Sequence, residues 1–175
     1  GVPQNIPGGE IYQALEKGTI DAAEWIGPYD DQKLGFNKVA PNYGYPAWWE
    51  GGPQIDFFIN SKAYDSLSAE YKAIVEAASA YAHVDMQAKY DAKNPAALRQ
   101  LVASGTKLFR LPKDVMDLAF KESMALYSEL SAKNPHWKKV YEDFSKFRGE
   151  QVRWFSIAED GYDNYMIEQA RAGKI

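Results

Sequence analysis

The sequence predicts a helix-rich α/β fold, and three observations predict it. Residues 1–60 hold six of the nine prolines and most of the glycines, which separate short apolar runs of strand length. The first 26 residues fit a strand, helix, strand series, the size of a parallel crossover unit. Residues 61–175 hold only three prolines and repeat their apolar residues at helical spacing.

In chain order, residues 2–6 read as a first strand, broken by Pro7-Gly8-Gly9. A short helix over 10–16 places Ile11, Ala14 and Leu15 on one face, with Gly18 as its C-terminal cap. Residues 19–26 read as a second strand, ended by Gly27-Pro28. Residues 27–53 read as an irregular loop rich in aromatics: Tyr29, Phe36, Tyr43, Tyr45, Trp48 and Trp49. A loop of that composition reads as packed and functional, in contrast to a solvated linker. Residues 54–60 form a third predicted strand, and Asn60 or Ser61 caps the helical stretch after it. Ile74, Val75, Ala78, Tyr81, Ala82 and Met86 predict one long helix over 69–94. Pro95 opens a separate helix over 96–103, closed by Gly105. Residues 107–111 read as a short strand, and Pro112 starts a helix over 113–132. After Asn134-Pro135 one long helix is expected to about residue 170, kinked where Gly149 and Gly161 weaken it.

Composition narrows the function classes. At 175 residues, 46% hydrophobic and 14% aromatic, the chain can bury a core, which excludes disorder for most of it. Twenty-four acidic against 20 basic residues argue against a nucleic-acid partner, which requires a basic face. The absence of cysteine excludes thiolate catalysis and Cys-ligated metals. No apolar run reaches the length of about 18 residues that a membrane span needs. The first residues show neither the basic start nor the apolar stretch of a secretion signal, as in a mature secreted protein or an internal fragment. His83 and His136 lack any paired-ligand spacing, and Ser61, Ser123 and Ser156 stand outside a nucleophile-elbow context. Asp30-Asp31 could ligate a metal, but the pair better suits a helix start, where carboxylates cap N–H groups and complement the dipole.

Two features carry chemistry. Glu24 falls near the end of a predicted buried strand beside Trp25, and a buried carboxylate is costly unless paired or bound to a cation. The plain alternative is a Lys or Arg partner for Glu24 and a core position for Trp25. The second feature is Tyr43-Gly44-Tyr45-Pro46-Ala47-Trp48-Trp49-Glu50-Gly51-Gly52-Pro53, where Glu50 precedes glycines that can bring backbone carbonyls against a ligand. Its plain alternative is a surface loop packed by its own aromatics. Two carboxylates and carbonyl oxygens would make a hard site, suited to Na⁺, Ca²⁺ or Mg²⁺ over zinc. The residues alone leave three readings open. One is a binding protein. Another is a carbohydrate-active enzyme using Glu24 and Glu50 as a carboxylate pair. The third is a helical dimerisation module whose aromatic loop only packs.

The stretch from Pro7-Gly8-Gly9-Glu10 through Asp21-Ala22-Ala23-Glu24-Trp25-Ile26-Gly27-Pro28-Tyr29-Asp30-Asp31 resembles the solute-binding proteins of tripartite ATP-independent periplasmic (TRAP) transporters. The closer similarity is to the branch that binds 2-oxoacids or lactate with a metal ion, and Tyr43-Gly44-Tyr45-Pro46 and Trp48 to Pro53 fit it too. The resemblance covers essentially the whole chain. It implies half of a two-lobed, periplasmic-binding-protein-like clamp that closes over a small carboxylate and delivers it to membrane permease subunits. Residues 1–20 and 61–134 would belong to lobe II, and residues 21–60 to the crossover strands and lobe I. Residues 135–175 would form a long helix that exchanges with a partner to make a homodimer.

By the same resemblance, Glu24, Glu50 and the Trp25 backbone carbonyl hold the cation, Na⁺ or Ca²⁺, and Trp25, Tyr29 and Trp49 line the substrate pocket. The implied location is the periplasm, and no catalysis is implied. The family's first half carries the Arg that clamps the substrate carboxylate, and that half is absent here. Arg99, Arg110, Arg148, Arg153 and Arg171 all lie late in the chain. The chain by itself is therefore expected to bind ligand poorly.

Overall fold

The computed structural model describes residues 1–52 and 55–175, which divide into two units, Gly1–Pro112 and Lys113–Ile175. In the first unit a 3-10 turn, Gly8–Glu10, leads into helix α1, Ile11–Glu16, which buries Ile11. Helix α2, Pro28–Leu34, starts as its sequence favours: proline in the first turn, where no N–H partner is needed, then Asp30 and Asp31 at the positive end of the dipole. Strand β1 is Asn42–Tyr45. Helix α3, Ser61–Asp65, is capped by the Asn60 side chain, which accepts from the Ala63 N–H at 3.2 Å. Helix α4, Ala69–Ala103, has the Ser68 hydroxyl as acceptor for the Tyr71 N–H. Strand β2 is Lys107–Arg110.

β1 and β2 pair in parallel, with Asn42 opposite Lys107 and Gly44 opposite Phe109. Backbone bonds from Lys107 N to Pro41 O (2.8 Å) and from Leu111 N to Tyr45 O (2.7 Å) extend the ladder at both ends. Phe109 lies across its partner: a Cβ on Gly44 would stand 2.8 Å from the ring, closer than carbon atoms approach. The apolar core gathers on the last turns of α4, where Ala97 and Leu101 are buried together with Ile11. α2 is tied to α4 by the Tyr29 N–H donating to Asn94 Oδ1 at 3.0 Å and by the Gln32 Nε2 donating to Gln100 Oε1 at 2.7 Å.

The second unit holds helices α5 (Lys113–Lys133), α6 (Pro135–Ala158) and α7 (Asp160–Arg171). The Asn134 side chain caps α6 by accepting from the N–H groups of His136 and Trp137. Tyr127 on α5 meets Trp137 and Tyr141 on α6 with ring centroids 5.9 and 5.1 Å apart.

The helix-rich character and the helices over 10–16 and 113–132 match expectation, as does the short strand after Gly105. Other elements differ. Residues 2–6 and 19–26, read as strands, contain no strand. The same holds for 55–60, and Gln54 lies outside the described residues. Extended chain becomes a strand only when a neighbour takes its N–H and C=O groups, and the one ladder among the described residues joins β1 to β2. The loop expected over 27–53 contains α2, a 3-10 turn and β1. Pro95 lies inside α4 and does not divide it. The single last helix is two, parted at Glu159, two residues before the weakening Gly161. No described helix is long and apolar enough to cross a membrane.

Candidate functional site

Glu24 and Glu50 sit far apart in sequence on segments without regular structure, yet they meet electrostatically. Partial burial pushes the Glu24 carboxyl above its ordinary range, and the negative charges of Glu50 and Asp31 push it further in the same direction. This arrangement is the one a cation relieves: it neutralises carboxylates that otherwise repel one another. Among the described residues no three His, Cys, Asp or Glu side chains gather as a metal cluster. The donors that Glu24 and Glu50 would offer a cation are carboxylate oxygens, with backbone oxygens to complete the set. An all-oxygen set of this kind suits Na⁺ or Ca²⁺.

Trp25 follows Glu24 and is partly buried. Its indole meets Phe36 edge to face, with centroids 6.2 Å apart, and lies so close over Gly8 that a Cβ there would collide with the ring. The glycine of Pro7-Gly8-Gly9 thus serves the site by leaving room for Trp25. The Trp25 indole N–H is buried with no acceptor among the described residues. Such a donor is stabilised when an acceptor reaches it.

Tyr29 is drawn toward α4. Its hydroxyl accepts from Lys93 Nζ at 3.2 Å, and the ammonium groups of Lys33 and Lys93 lie 4.0 and 4.8 Å from its ring centroid. Interaction with Lys33, then Lys93, holds its phenol below the ordinary range. Tyr29 also lines an open cavity of about 730 Å³ with Phe57, Met86, Tyr90 and Lys93. Trp49 and Trp48 contact each other edge to face at 5.4 Å, both about half exposed. The structure therefore groups Glu24, Glu50 and, through sequence adjacency, Trp25. Tyr29 and Trp49 have partners of their own.

Sequence reasoning does not single out Asp31 and Tyr43 as site residues. Asp31 is only 7% exposed. The Tyr43 hydroxyl donates to its Oδ2 at 2.5 Å, and the Ile26 and Gly27 N–H groups donate to Oδ1 at 3.5 and 3.4 Å. Burial raises the Asp31 carboxyl, against the pull of these three donors. The signal present in the sequence is the Asp30-Asp31 pair at a helix start; nothing local marks Tyr43, twelve residues on, as its partner.

Because Glu24 and Asp31 both bind protons more tightly in the folded state, their contribution to stability is complete below the ordinary carboxyl range. It is lost as the pH rises through their raised values. The cation-free protein is expected to lose melting temperature over that window, and Ca²⁺ to restore it increasingly as the pH rises. Calorimetry in chelator and in Ca²⁺ between about pH 4 and about pH 8 checks this. A Ca²⁺ effect that is flat across the range would remove Glu24 from the site.

Comparison with known proteins places the chain in a family. The bacterial extracellular solute-binding protein family 7 (DctP) matches residues 1–134. A monocarboxylate 2-oxoacid-binding periplasmic protein from Nostoc sp. is 45% identical over 162 residues, which is 93% of this chain and 44% of that protein. A TRAP transporter solute binding protein from Bordetella bronchiseptica RB50 is 53% identical, with a TM-score of 0.93 over 97% of this chain and 51% of that one. That structure is a mixed-occupancy dimer with copurified calcium and picolinate in one site and the other apo. A TRAP periplasmic solute binding protein from Pseudoalteromonas atlantica, with bound sodium and pyruvate, is 34% identical, with a TM-score of 0.86 over 93% of this chain and 50% of that one. The chain thus spans about half the length of these relatives. On the extent of the family match, and on the fold and site that accompany it, the chain belongs to the bacterial extracellular solute-binding proteins of family 7.

Proposed function

We propose that the protein is a periplasmic solute receptor that binds a small monocarboxylate, a 2-oxoacid such as pyruvate or else lactate, together with Na⁺ or Ca²⁺. It passes this ligand to the membrane permease subunits of a TRAP transporter and catalyses no reaction. The observation that carries the reading is the match of residues 1–134 to the extracellular solute-binding family. Relatives holding calcium or sodium beside picolinate or pyruvate support it. In this reading Glu24, Glu50 and the Trp25 carbonyl hold the cation. The bound cation supplies the positive charge that attracts the substrate carboxylate. Trp25, Tyr29 and Trp49 exclude water around the substrate, and the orphan Trp25 N–H has an acceptor once an anion is in place.

The segments 21–26 and 55–60 are the crossings between two lobes, with 1–20 and 61–134 in one lobe. Phe57 and Phe58, 74% and 92% exposed, are then apolar side chains awaiting cover within the complete clamp. A homodimer through the last helices is supported by the exposed Phe144, Phe147, Trp154 and Tyr162 of α6 and α7 and by the dimer of the Bordetella relative.

Tryptophan fluorescence of the complete protein during titration with pyruvate and longer 2-oxoacids, in Na⁺, Ca²⁺ or chelator, tests the proposal. A saturable change that needs the cation is expected. Silence with every acid and cation, or hydrolysis of a glycoside at this carboxylate pair, would overturn it.

A further inference from the structure

We infer that Asp31 and Tyr43 are the positioning residues of the cation site: the buried Asp31 carboxylate aims the Trp25 carbonyl and fixes the Glu24 segment relative to the strand that leads to Glu50. The inference rests on the proposed assignment of Glu24, Trp25 and Glu50 as cation ligands.

The Trp25 carbonyl and the Ile26 N–H belong to one planar, trans peptide unit, so they point in opposite directions. Asp31 Oδ1 accepts from the Ile26 N–H at 3.5 Å and from the Gly27 N–H at 3.4 Å. Holding that N–H toward Asp31 therefore turns the Trp25 oxygen away from it. Nothing else regular holds this stretch, because residues 20–27 lie in neither helix nor strand.

The other oxygen of the same carboxylate accepts from the Tyr43 hydroxyl at 2.5 Å. Tyr43 stands in β1, opposite Leu108 in the ladder, seven residues before Glu50. One buried carboxylate thus joins the Glu24 segment, the first turn of α2 and the start of the Glu50 loop. Its burial, at 7% exposure, makes the joint stiff, since each unmet partner would be left without water. An interior carboxylate beside a site that already repels negative charge is costly, and a role in geometry explains why it stands there.

Calorimetric Ca²⁺ affinity, read beside amide hydrogen exchange of Ile26 and Gly27 in Ca²⁺-free protein, tests the inference. Asp31→Ala is expected to weaken Ca²⁺ binding by about 10- to 100-fold, the usual effect of losing a group that orients a ligand, and to remove the protection of both amides. Asp31→Asn keeps an acceptor for those amides and a donor for the Tyr43 oxygen, so it is expected to restore most of the affinity despite losing the charge. Tyr43→Phe keeps the charge and is expected to lose affinity by about 10-fold. Asp31→Asn as weak as Asp31→Ala would mean that the charge acts through its field and would overturn the positioning role. So would wild-type affinity in both Tyr43→Phe and Asp31→Ala. Glu24→Gln separates the two levels: loss of Ca²⁺ binding there, with Asp31→Ala intact, sinks only the positioning role, whereas Ca²⁺ binding that survives Glu24→Gln sinks the site and this inference with it. Should Asp31→Ala fail to fold, Asp31→Asn and Tyr43→Phe decide the matter.

Discussion

Glu24→Ala and Glu50→Ala are each expected to weaken cation-dependent ligand binding by at least about 100-fold, beyond the effect of losing a residue that only orients a ligand. In the same variants the Ca²⁺-free protein is expected to keep or gain melting temperature. The sign follows from the electrostatics. Without a cation, the Glu50 charge disfavours ionised Glu24, so removing either one relieves repulsion. With a cation, both carboxylates are attractive partners, and losing one removes part of the neutralising set. A destabilised ligand-free fold would instead mark the pair as structural, held by groups other than a metal. Unchanged affinity in both variants would remove the cation from this corner of the molecule. Titration calorimetry with Ca²⁺ and Na⁺, paired with thermal unfolding in chelator, yields both signs from one set of samples.

The largest effect on stability is expected at Leu101. It is 2% exposed, whereas the α5 residue Leu118 is 57% exposed. Ile11, Ala97 and Leu101 are the buried apolar residues among those described, and Leu101 lies at the end of α4 that leads into β2. Leu101→Ala is expected to cost about 3 kcal/mol, the lost transfer energy plus the cavity left behind. Leu118→Ala is expected to change stability by less than about 0.5 kcal/mol. Urea unfolding of the two variants provides the comparison. A loss below about 1 kcal/mol at Leu101 would mean that the turns around it collapse into the gap, and that the core of the first unit is soft.

The elements legible in the sequence were those whose causes are local. The Asn60 cap, the Asn134-Pro135 break and the Pro112 start each depend on a few neighbouring residues, and each helix begins where the pattern places it. The candidate carboxylates Glu24 and Glu50 stood out because a lone Glu beside Trp and a Glu before paired glycines are unusual in themselves. The illegible features depended on distant partners. Residues 19–26 carry strand-like composition, but a strand is a relation between two segments, and composition cannot supply the neighbour. Asn42–Tyr45 was hidden because Gly44 and Pro46 mark a loop locally. Only the Phe109 ring lying across Gly44 gives that glycine a place in a ladder. Asp31 looked like one of two helix-start carboxylates until the fold brought Tyr43 to it. The division at Pro95 failed for the opposite reason: a local rule predicted a break, and the long helix continued through it.

That proline gives α4 a mechanical character. Thirty-five residues at about 1.5 Å each make a rod of roughly 50 Å. A rod stiff along its whole length transmits displacement from one end to the other. Pro95 removes the N–H that would have reached back to the carbonyl of residue 91, so the bending resistance drops at one known place. Its neighbour Asn94 is the residue that grips the Tyr29 backbone. The compliant joint and the point of attachment to α2 therefore coincide, and a load on either arm of the rod concentrates its curvature beside Tyr29.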